Sequence, residues 1–503
     1  MPYAPDGLRL SQPLPGRDLI EVKAANIACA RNEPIIPFAD AEGVRGPALM
    51  SQERWSGGFG FVLASMGSAI GLGSIWKFPY EAGANGGGGF VIAYLLGVAL
   101  IVTPLLLAEF AIGRAGRADA TESLRNVAVA AGHSPRWAFV GWLGVLTAFL
   151  ILSFYAVIGG WALAYAVDML TTDVPETTGA ARAQFDALLA SPTRIFIFHA
   201  LFMGTTSLIV ASGVEKGIEA ASRLLMPGLL LMIAGLAIHS VWIGDARTAL
   251  NFLFAFDLEK MSARVWLDAI GLGFFSIGVG LGSMITYAAY AGETVNLRQI
   301  ALLTILGDTL VSFLAGLAIF PLVFAFGLDP AGGPGLMFVT LPVAFARMPA
   351  GAAMGFVFYI LLVVSALGSA IALLEVVVAW LKTKGLSRVS AAGLAGSSCL
   401  VAGAPTVLSF NAWATWFPLA TVPGFEHASF FEVLDFLTSD VMLPLGGLCL
   451  SLFTGWRMSE ELLGSQLNLS ARATRFLVIA LRFVVPSLIV AATIASWLFQ
   501  KNP

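Results

Sequence analysis

Residues 67–90 read GSAIGLGSIWKFPYEAGANGGGGF, a stretch in which glycines, a lysine and an asparagine interrupt the first apolar segment of the chain. Each glycine inside a helix costs about 1 kcal/mol relative to alanine, so this stretch is a poor continuous helix. A second stretch of the same kind, GLGFFSIGVGLGSMITYAAY, covers residues 271–290. Glycine-interrupted segments at corresponding places in two halves of a chain indicate discontinuous membrane helices around a binding site. The alternative is that these glycines only allow close helix packing.

The composition is that of an integral membrane protein. Of the 503 residues, 58% are hydrophobic and 12% are charged, whereas soluble domains have about 25% charged residues. Apolar segments of about 20 residues, long enough to cross the bilayer as helices, recur along the chain. The segments lie at residues 59–80, 90–112, 137–167, 194–211, 219–241, 264–290, 298–326, 350–381, 390–410, 429–454 and 475–498. We therefore predict an all-α integral membrane protein with about eleven transmembrane helices.

The positions of the two glycine-rich stretches predict how these helices are arranged. They fall in the first and the sixth segment, which suggests two inverted repeats of five helices followed by one extra helix. The first and sixth helices would then be unwound near the middle of the membrane. The first repeat would cover residues 59–241, the second residues 264–454, and the extra helix residues 475–498.

Basic residues predict the orientation in the membrane. They are concentrated in three loops, at Arg114, Arg117, Arg125 and Arg136, at Lys382, Lys384 and Arg388, and at Arg457, Arg472 and Arg475. Loops rich in Lys and Arg face the cytoplasm, which also places the N-terminus there. Residues 1–50 carry prolines and mixed charges without an apolar stretch long enough for a signal peptide, and we expect a disordered cytoplasmic tail. Translation could start at Met1 or at Met50.

Further motifs follow one another along the chain. They are TPLLLAEFAIGR (103–114), FYAVIGGW (154–161), KGIE (216–219), FFSIGVGLGSMITYAAY (274–290), DTLVSFLAGLAIF (308–320) and LGSAIALLE (367–375). Together with residues 67–96, and in this order, they resemble the neurotransmitter:sodium symporter family, particularly its bacterial amino-acid transporters. The resemblance extends from residue 52 to about residue 498, so that residues 51–503 would form one transporter domain.

The resemblance implies sodium-coupled import of a neutral amino acid by alternating access, through a multi-pass protein of the bacterial inner membrane. Broken helices fit this activity, because they free carbonyl groups for a dehydrated cation and point positive helix ends at a carboxylate. An enzyme is not expected, since the sequence shows no nucleophile–base pair, metal cluster or nucleotide-binding loop. The expected partners are a small amino acid and the lipid bilayer, without nucleic acid, and the oligomeric state stays open.

The resemblance also implies a set of substrate contacts. They are Ala69, Leu72, Gly73, Ile151, Tyr155, Phe275, Ser276, Gly278, Ser369 and Leu373. Gly71 stands where monoamine transporters of the family carry an aspartate, which favours an amino acid over a monoamine. Gly278 lacks a side chain where some relatives have serine, which predicts a deeper pocket and a large hydrophobic or aromatic substrate. One methylene is worth only about 1–3 kcal/mol of discrimination.

Two sodium sites are implied in the same way. The first would comprise Ala69, Ser74, Ser276 and Asp308, and the second Gly67, Ile70, Ser365, Gly368 and Ser369. Ser74 and Asp308 stand where asparagine is common, and a charge such as that of Asp308 inside the membrane marks a functional residue. Gly368 stands where relatives supply threonine or aspartate. Either water fills this gap and sodium binds weakly, or the second site is lost.

Chloride is not expected to take part. Chloride-dependent relatives hold the anion with a tyrosine, a glutamine and two hydroxyl residues. Tyr94, Ser276 and Ser312 match this set, but Leu272 replaces the glutamine and cannot donate a hydrogen bond. Asp308 would also repel an anion, so we expect sodium alone as the coupling ion.

The resemblance places gates on both sides of the substrate. Lys77 and Asp435 would form an outer latch, which lysine makes looser than arginine would. Glu109 and Glu375 lie within apolar helices and are expected to hold the broken segments through hydrogen bonds to freed amides.

The inner gate departs from the family pattern. Trp55 is present, but Gln52 stands at the expected basic position and Thr383 at the expected aspartate, with Arg54 as a substitute. Together with Ser74 and Gly368, these departures leave an alternative open, namely an amino-acid-binding sensor with the same fold that transports weakly or not at all.

Overall fold

The computed structural model of the chain describes residues 53–255, 261–331 and 335–500, the last six of them by backbone alone. The predicted tail at residues 1–50 and the choice between Met1 and Met50 lie outside the described residues. Within the described ranges the chain is almost entirely helical and contains no strand.

Eighteen helical elements follow one another along the described ranges. They are α1 (Gly58–Ala69), α2 (Gly73–Ala84), α3 (Gly88–Gly116), α4 (Ala120–Ala130), α5 (Pro135–Thr171), α6 (Thr178–Leu189), α7 (Pro192–Ala211), α8 (Val214–Ile243), α9 (Ala246–Phe254), α10 (Ala263–Ile277), α11 (Ser283–Ala289), α12 (Leu297–Ala325), α13 (Leu336–Ala346), α14 (Gly351–Thr383), α15 (Arg388–Ser409), α16 (Phe430–Trp456), α17 (Glu460–Leu467) and α18 (Ala471–Ile494, whose helix continues to Gln500). Nine of the described helices are long and apolar enough to cross a membrane, and the bent pair α1 and α2 makes a tenth span. With the second broken pair, α10 and α11, the prediction of an all-α membrane protein with about eleven spans is confirmed.

The first span is broken at the glycines of the opening stretch. Helix α1 ends at Ala69, Ile70 is extended (φ −76°, ψ 91°), and α2 leaves at an angle of 51° to α1. The first turn of α2, Gly73–Lys77, is π-helical. A Cβ atom on Gly73 would lie 2.8 Å from the Cα atom of Ser276. Glycine is therefore required where the first broken span meets the second.

The glycines also predicted a break in a second span. The first half of this span, α10, ends at Ile277. Gly278 adopts a left-handed conformation (φ +70°, ψ 37°), and α11 starts only at Ser283. Gly280 also has a positive φ of +93°, a conformation that side chains with a Cβ rarely adopt. The glycines therefore unwind the helix, in addition to allowing close packing.

Both breaks lie inside the bundle. Helices α5 and α14 pack along each other, and α1 packs against α8, α12 and α14. In the most apolar window of α5, 83% of the residues are buried within the protein, compared with 22% in α18. The interior helices thus surround the two breaks, while α18 lies at the periphery.

Several of the basic loops meet at one end of the bundle, the Trp55 end. Arg114 donates to the Val295 carbonyl and Arg117 to the Ala291 carbonyl, each at 2.7 Å. Trp55, just before α1, donates through Nε1 to a carbonyl of α11 at 2.8 Å. We call the opposite side of the breaks, reached along α2, the Lys77 end.

Candidate functional site

A cavity of about 40 Å³ lies between the two breaks. It is lined by Ser68, Gly71, Gly73, Ile151, Tyr155, Phe275, Ser276, Gly278, Leu281, Ser283, Ser369, Ala372, Leu373 and Leu443. Among the predicted substrate contacts, all except Ala69 and Leu72 line it. Ala69 is buried at the end of α1, and Leu72 lines a second cavity toward the Lys77 end. The structure thus brings eight of the ten predicted contacts together from α2, α5, α10 with the glycine that follows it, and α14.

One side of the cavity is polar. The hydroxyl of Tyr155 accepts a hydrogen bond of 3.1 Å from the Leu72 amide, and Gly71 and Gly73 line the cavity where α2 begins. The start of a helix carries unpaired amides and a partial positive charge. This side of the cavity is therefore suited to a carboxylate.

The other side of the cavity is apolar and includes residues that sequence reasoning missed. Leu281, Ala372 and Leu443 join Ile151 and Leu373 there. For Leu281 a signal was available, since it lies within the second glycine-rich stretch. For Leu443 and Ala372 the pattern offered none, because only the packing of α14 and α16 brings them to the cavity.

Gly278 lines the cavity, with the side chain of Leu281 next to it. A Cβ atom on Gly278 would lie 3.2 Å from Cδ1 of Leu281, so the leucine occupies the space that a side chain at position 278 would border. Leu281 therefore narrows the apolar side of the cavity at Gly278.

A buried carboxylate lies beside the two breaks. Asp308 of α12 is fully buried, and its oxygens contact three hydroxyl groups. Tyr94 donates to it at 3.0 Å, Ser276 lies 3.1 Å from both oxygens, and Ser74 donates to Oδ1. Ser74 and Ser276 also contact each other at 3.0 Å. The three side chains predicted for the first sodium site thus form one cluster, and Ala69 lies at the end of α1.

This cluster has the chemistry of a site for a hard cation. Its donors are carboxylate and hydroxyl oxygens, which such cations prefer. Among the described residues Asp308 has no basic partner within ion-pair distance. An uncompensated charge in a protein interior within a membrane is costly. A bound cation or a proton would remove that cost.

The residues predicted for the second sodium site lie where the end of α1 meets α14. The Ser369 hydroxyl donates to the Ser68 carbonyl at 3.0 Å. The Ser365 hydroxyl donates to the Leu362 carbonyl of its own helix at 3.2 Å.

The remaining members of the predicted second site are backbone positions. Gly67 and Ile70 belong to the last turn of α1 and its end, and Gly368 faces them from α14. A Cβ atom on Gly368 would lie 2.4 Å from the Gly67 carbonyl oxygen, so the two helices are in backbone contact there.

Glu109 and Glu375 differ in what they hold. The Gly280 amide, freed by the break after α10, donates to Glu109 at 2.6 Å, as predicted. The same expectation for Glu375 is wrong. Glu375 instead accepts from the hydroxyl of Tyr290 at 2.6 Å and from Arg388 at 2.5 Å.

A larger cavity of about 240 Å³ extends from the breaks toward the Lys77 end. It is lined by Leu72, Trp76, Lys77, Tyr80, Phe154, Tyr155, Ile158, Trp161, Phe185, Leu189, Phe275, Phe338, Phe410, Phe431 and Asp435. The predicted outer latch is not closed in this structure. The Lys77 ammonium lies 4.7 Å from the centroid of the Phe275 ring, and Asp435 accepts instead from Ser439 at 2.8 Å. Lys77 and Asp435 line the same cavity without forming an ion pair.

The Trp55 end is closed by aromatic and charged contacts. Trp55 is buried and stacks on Phe61 with 5.5 Å between ring centroids. Glu53 forms ion pairs of 2.7 Å with both Lys382 and Arg388. Arg388 in turn pairs with Glu375. The N-terminal segment is thereby fixed to α14 and α15.

The proposed role of Arg54 at this end is wrong. Arg54 is exposed, and its neighbour Glu53 makes the contacts instead. Gln52 lies outside the described residues, and within the part of the chain that the structure describes Thr383 bonds only to the Trp380 carbonyl of its own helix. The family pattern predicted a basic residue at position 52 and an aspartate at position 383. The structure instead has an ion pair one residue away from each position, with the acidic residue at 53 and the basic residue at 382. Position-by-position comparison therefore missed them.

Comparison with known proteins gives a consistent result. A family model described as the sodium:neurotransmitter symporter family matches residues 52–187 and 194–498. The uncharacterized sodium-dependent transporter YhdH of Bacillus subtilis (strain 168) is 37% identical over 455 residues, which cover 88% of this chain and 97% of the relative. An uncharacterized sodium-dependent transporter of Haemophilus influenzae is 30% identical over 88% of this chain and 98% of the relative. The crystal structure of MhsT in complex with L-phenylalanine matches with a TM-score of 0.80 and 39% identity, covering 88% of this chain and 99% of MhsT.

Proposed function

The chain belongs to the sodium:neurotransmitter symporter family, a family of secondary transporters and not of enzymes, and on that premise we propose that it imports a neutral, apolar amino acid together with sodium. Asp308 carries the proposal. It is fully buried, surrounded by three hydroxyls and without a basic partner among the described residues. A sodium ion at this carboxylate would balance its charge. The ion would then lie beside the two helix breaks, whose residues also line the cavity, so that ion binding and substrate binding would be linked.

An amino acid fits the cavity better than a monoamine. The substrate carboxylate would lie against the start of α2 and the Tyr155 hydroxyl, where the helix end favours negative charge. A Cβ atom on Gly71 would lie 2.4 Å from the Ser369 hydroxyl and 2.8 Å from that of Tyr155. The site therefore has no room for an aspartate at position 71, so the substrate brings its own carboxylate. MhsT, the structural neighbour, was solved with L-phenylalanine.

The apolar side of the cavity sets the substrate side chain. Its lining by Ile151, Leu281, Leu373 and Leu443 favours a hydrophobic side chain. Leu281, which lies beside Gly278, narrows this side of the cavity and favours an aliphatic side chain such as that of leucine. An aromatic side chain requires Leu281 to move from beneath Gly278.

Chloride independence follows from the surroundings of Asp308. Tyr94, which the family's chloride site would use, donates its hydroxyl to Asp308. Leu272 is buried and presents no donor. An anion at this place would meet a carboxylate at short range, so the fixed charge of Asp308 takes the place of the anion.

The two cavities and the Trp55 closure suit alternating access. The 240 Å³ cavity leads from the breaks to the Lys77 end, while Trp55 and the Glu53 ion pairs close the opposite end. The protein is a multi-pass membrane protein. We place it in the cell membrane with the basic Trp55 end in the cytoplasm, so that the structure is closed to the cytoplasm.

The proposed function is tested by thermal unfolding of the purified protein with each amino acid, in sodium and in potassium. A ligand at about 100 times its Kd adds about 2.7 kcal/mol of stability, a rise of several degrees in Tm. Apolar amino acids should raise Tm in sodium and much less in potassium, and Ser397→Ala, on an exposed face, should behave as the unmodified protein. Stabilisation that is equal in both salts would overturn sodium coupling. Binding without uptake by reconstituted protein would favour the sensor.

A further inference from the structure

The contact between Gly67 and Gly368 bears on how many sodium ions the protein binds. Gly368 brings no side-chain oxygen, and an added Cβ atom would lie 2.4 Å from the Gly67 carbonyl oxygen and 3.1 Å from its carbon. The backbone of α14 thus lies directly against the last turn of α1. The Gly67 carbonyl group thus occupies the place where the first atom of a side chain at position 368 would lie.

Two hydroxyl groups at this contact donate their protons to backbone carbonyl oxygens. Ser369 donates to the Ser68 carbonyl, which links α14 to α1 directly. Ser365 donates back into its own helix, to the Leu362 carbonyl. A sodium ion at this place would need oxygen ligands, and Gly368 supplies none from a side chain. The residues predicted for the second site include no carboxylate, whereas the first site has Asp308.

We propose that this protein couples transport to a single sodium ion, bound at Asp308, and that direct contact between α1 and α14 at Gly67, Gly368 and Ser369 replaces the second ion. The proposal rests on the proposed function, since it concerns the number of ions in the same transport cycle. In this view the Ser369 hydrogen bond and the glycine contact hold the end of α1 on α14, a task that an ion bridging the two helices would otherwise perform.

The direct test counts sodium ions. Equilibrium binding of ²²Na⁺ to the purified full-length protein, at saturating sodium with the amino acid that stabilises it best, should give about one ion per chain. The dependence of amino-acid affinity on sodium concentration should have a log–log slope of about one, because the slope counts the ions linked to binding. Two bound ions or a slope near two would overturn the single-ion proposal and leave the proposed function standing. No sodium binding would overturn both.

Variants separate a structural contact from an ion site. Ser369→Ala should lower Tm by the same amount in sodium and in potassium, because the hydrogen bond it removes joins two helices. A loss of Tm found only in sodium would identify Ser369 as an ion ligand and overturn the proposal. Gly368→Thr should lower Tm and leave the ion count at one, because its side chain meets the Gly67 carbonyl. Tighter sodium binding with a second ion in this variant would likewise contradict the proposal. Should this variant not fold, the ion count of the unmodified protein decides.

Discussion

Glu53, which precedes α1, and Lys382, near the end of α14, form an ion pair of 2.7 Å in which the lysine side chain is only 9% exposed. The same carboxylate oxygen of Glu53 lies 2.7 Å from Arg388. With Trp55 buried beside it, this pair joins the N-terminal segment to the rest of the bundle. For the Trp55 end to open, these contacts must break.

Reversing one charge of this pair should therefore impair transport. Removing one partner of a largely buried pair costs up to about 3–5 kcal/mol, less here because Glu53 is 19% exposed. We expect Glu53→Lys to lower amino-acid uptake at least about tenfold, the equivalent of about 1.4 kcal/mol. The double variant Glu53→Lys with Lys382→Glu should recover part of the loss, since Arg388 still faces the new lysine. Arg54→Ala, the exposed neighbour, serves as the control. No recovery in the double variant would show that this pair is not the closing contact.

Replacement of Asp308 tests the ion site. In Asp308→Asn the buried charge is gone, while the hydroxyls of Ser74, Tyr94 and Ser276 still have an oxygen to contact. We expect the sodium affinity to fall by about tenfold or more. As a result, amino-acid binding should lose most of its dependence on sodium. Ser465→Ala, an exposed serine of α17, is the matched control. Unchanged sodium affinity in Asp308→Asn would place the ion elsewhere.

Leu281 should set the upper size of the substrate. Its side chain occupies the space beside Gly278, so Leu281→Ala enlarges the apolar side of the cavity. The variant should bind aromatic amino acids better relative to leucine, by about tenfold or more, because a side chain of this size changes discrimination by about 1–3 kcal/mol. Competition against labelled leucine in the purified protein measures this ratio. An unchanged ratio would mean that Leu281 does not border the substrate.

Asp119 should make stability depend on pH. It caps α4 by accepting from the Thr121 amide at 2.9 Å, and its burial raises its pKa from 3.8 to about 6. Because the folded-state pKa lies above the unfolded value, folding favours the protonated form. Its contribution to stability is present below about pH 4, falls as pH rises to about 6, and is lost above that.

The two variants of Asp119 should differ for this reason. Asp119→Asn keeps the cap oxygen without the charge and should flatten the change in Tm between about pH 4 and pH 6, an effect of at most about 3 kcal/mol. Asp119→Ala loses the cap and should lower stability by about 0.5–2 kcal/mol. Thermal unfolding across this pH range measures both effects. A pH dependence that persists unchanged in Asp119→Asn would rule out this carboxyl group as its source.

The sequence predicted those features that depend on local chain chemistry. Glycines 71, 73, 278 and 280 mark both breaks, because helix interiors disfavour glycine and positive φ angles require it. Asp308 could be predicted as a candidate ion ligand, because a carboxylate in an apolar membrane helix is costly, and the structure places it fully buried among three hydroxyl groups.

Other features depend on which side chains meet across helices, and these the sequence could not supply. The filling of the space at Gly278 depends on the direction of Leu281 after an irregular turn. The Glu53 ion pairs depend on the exact approach of the N-terminal segment to α14, where a shift of one residue changes the partner. The Gly67–Gly368 contact is a distance between two backbones, which no residue pattern encodes.

The most direct test of sodium-coupled import is uptake of labelled L-leucine by proteoliposomes that contain the purified protein, with sodium outside and potassium inside. We expect accumulation above the external concentration that needs the sodium gradient and is unchanged when gluconate replaces chloride. Accumulation that is equally strong with potassium on both sides would contradict sodium coupling.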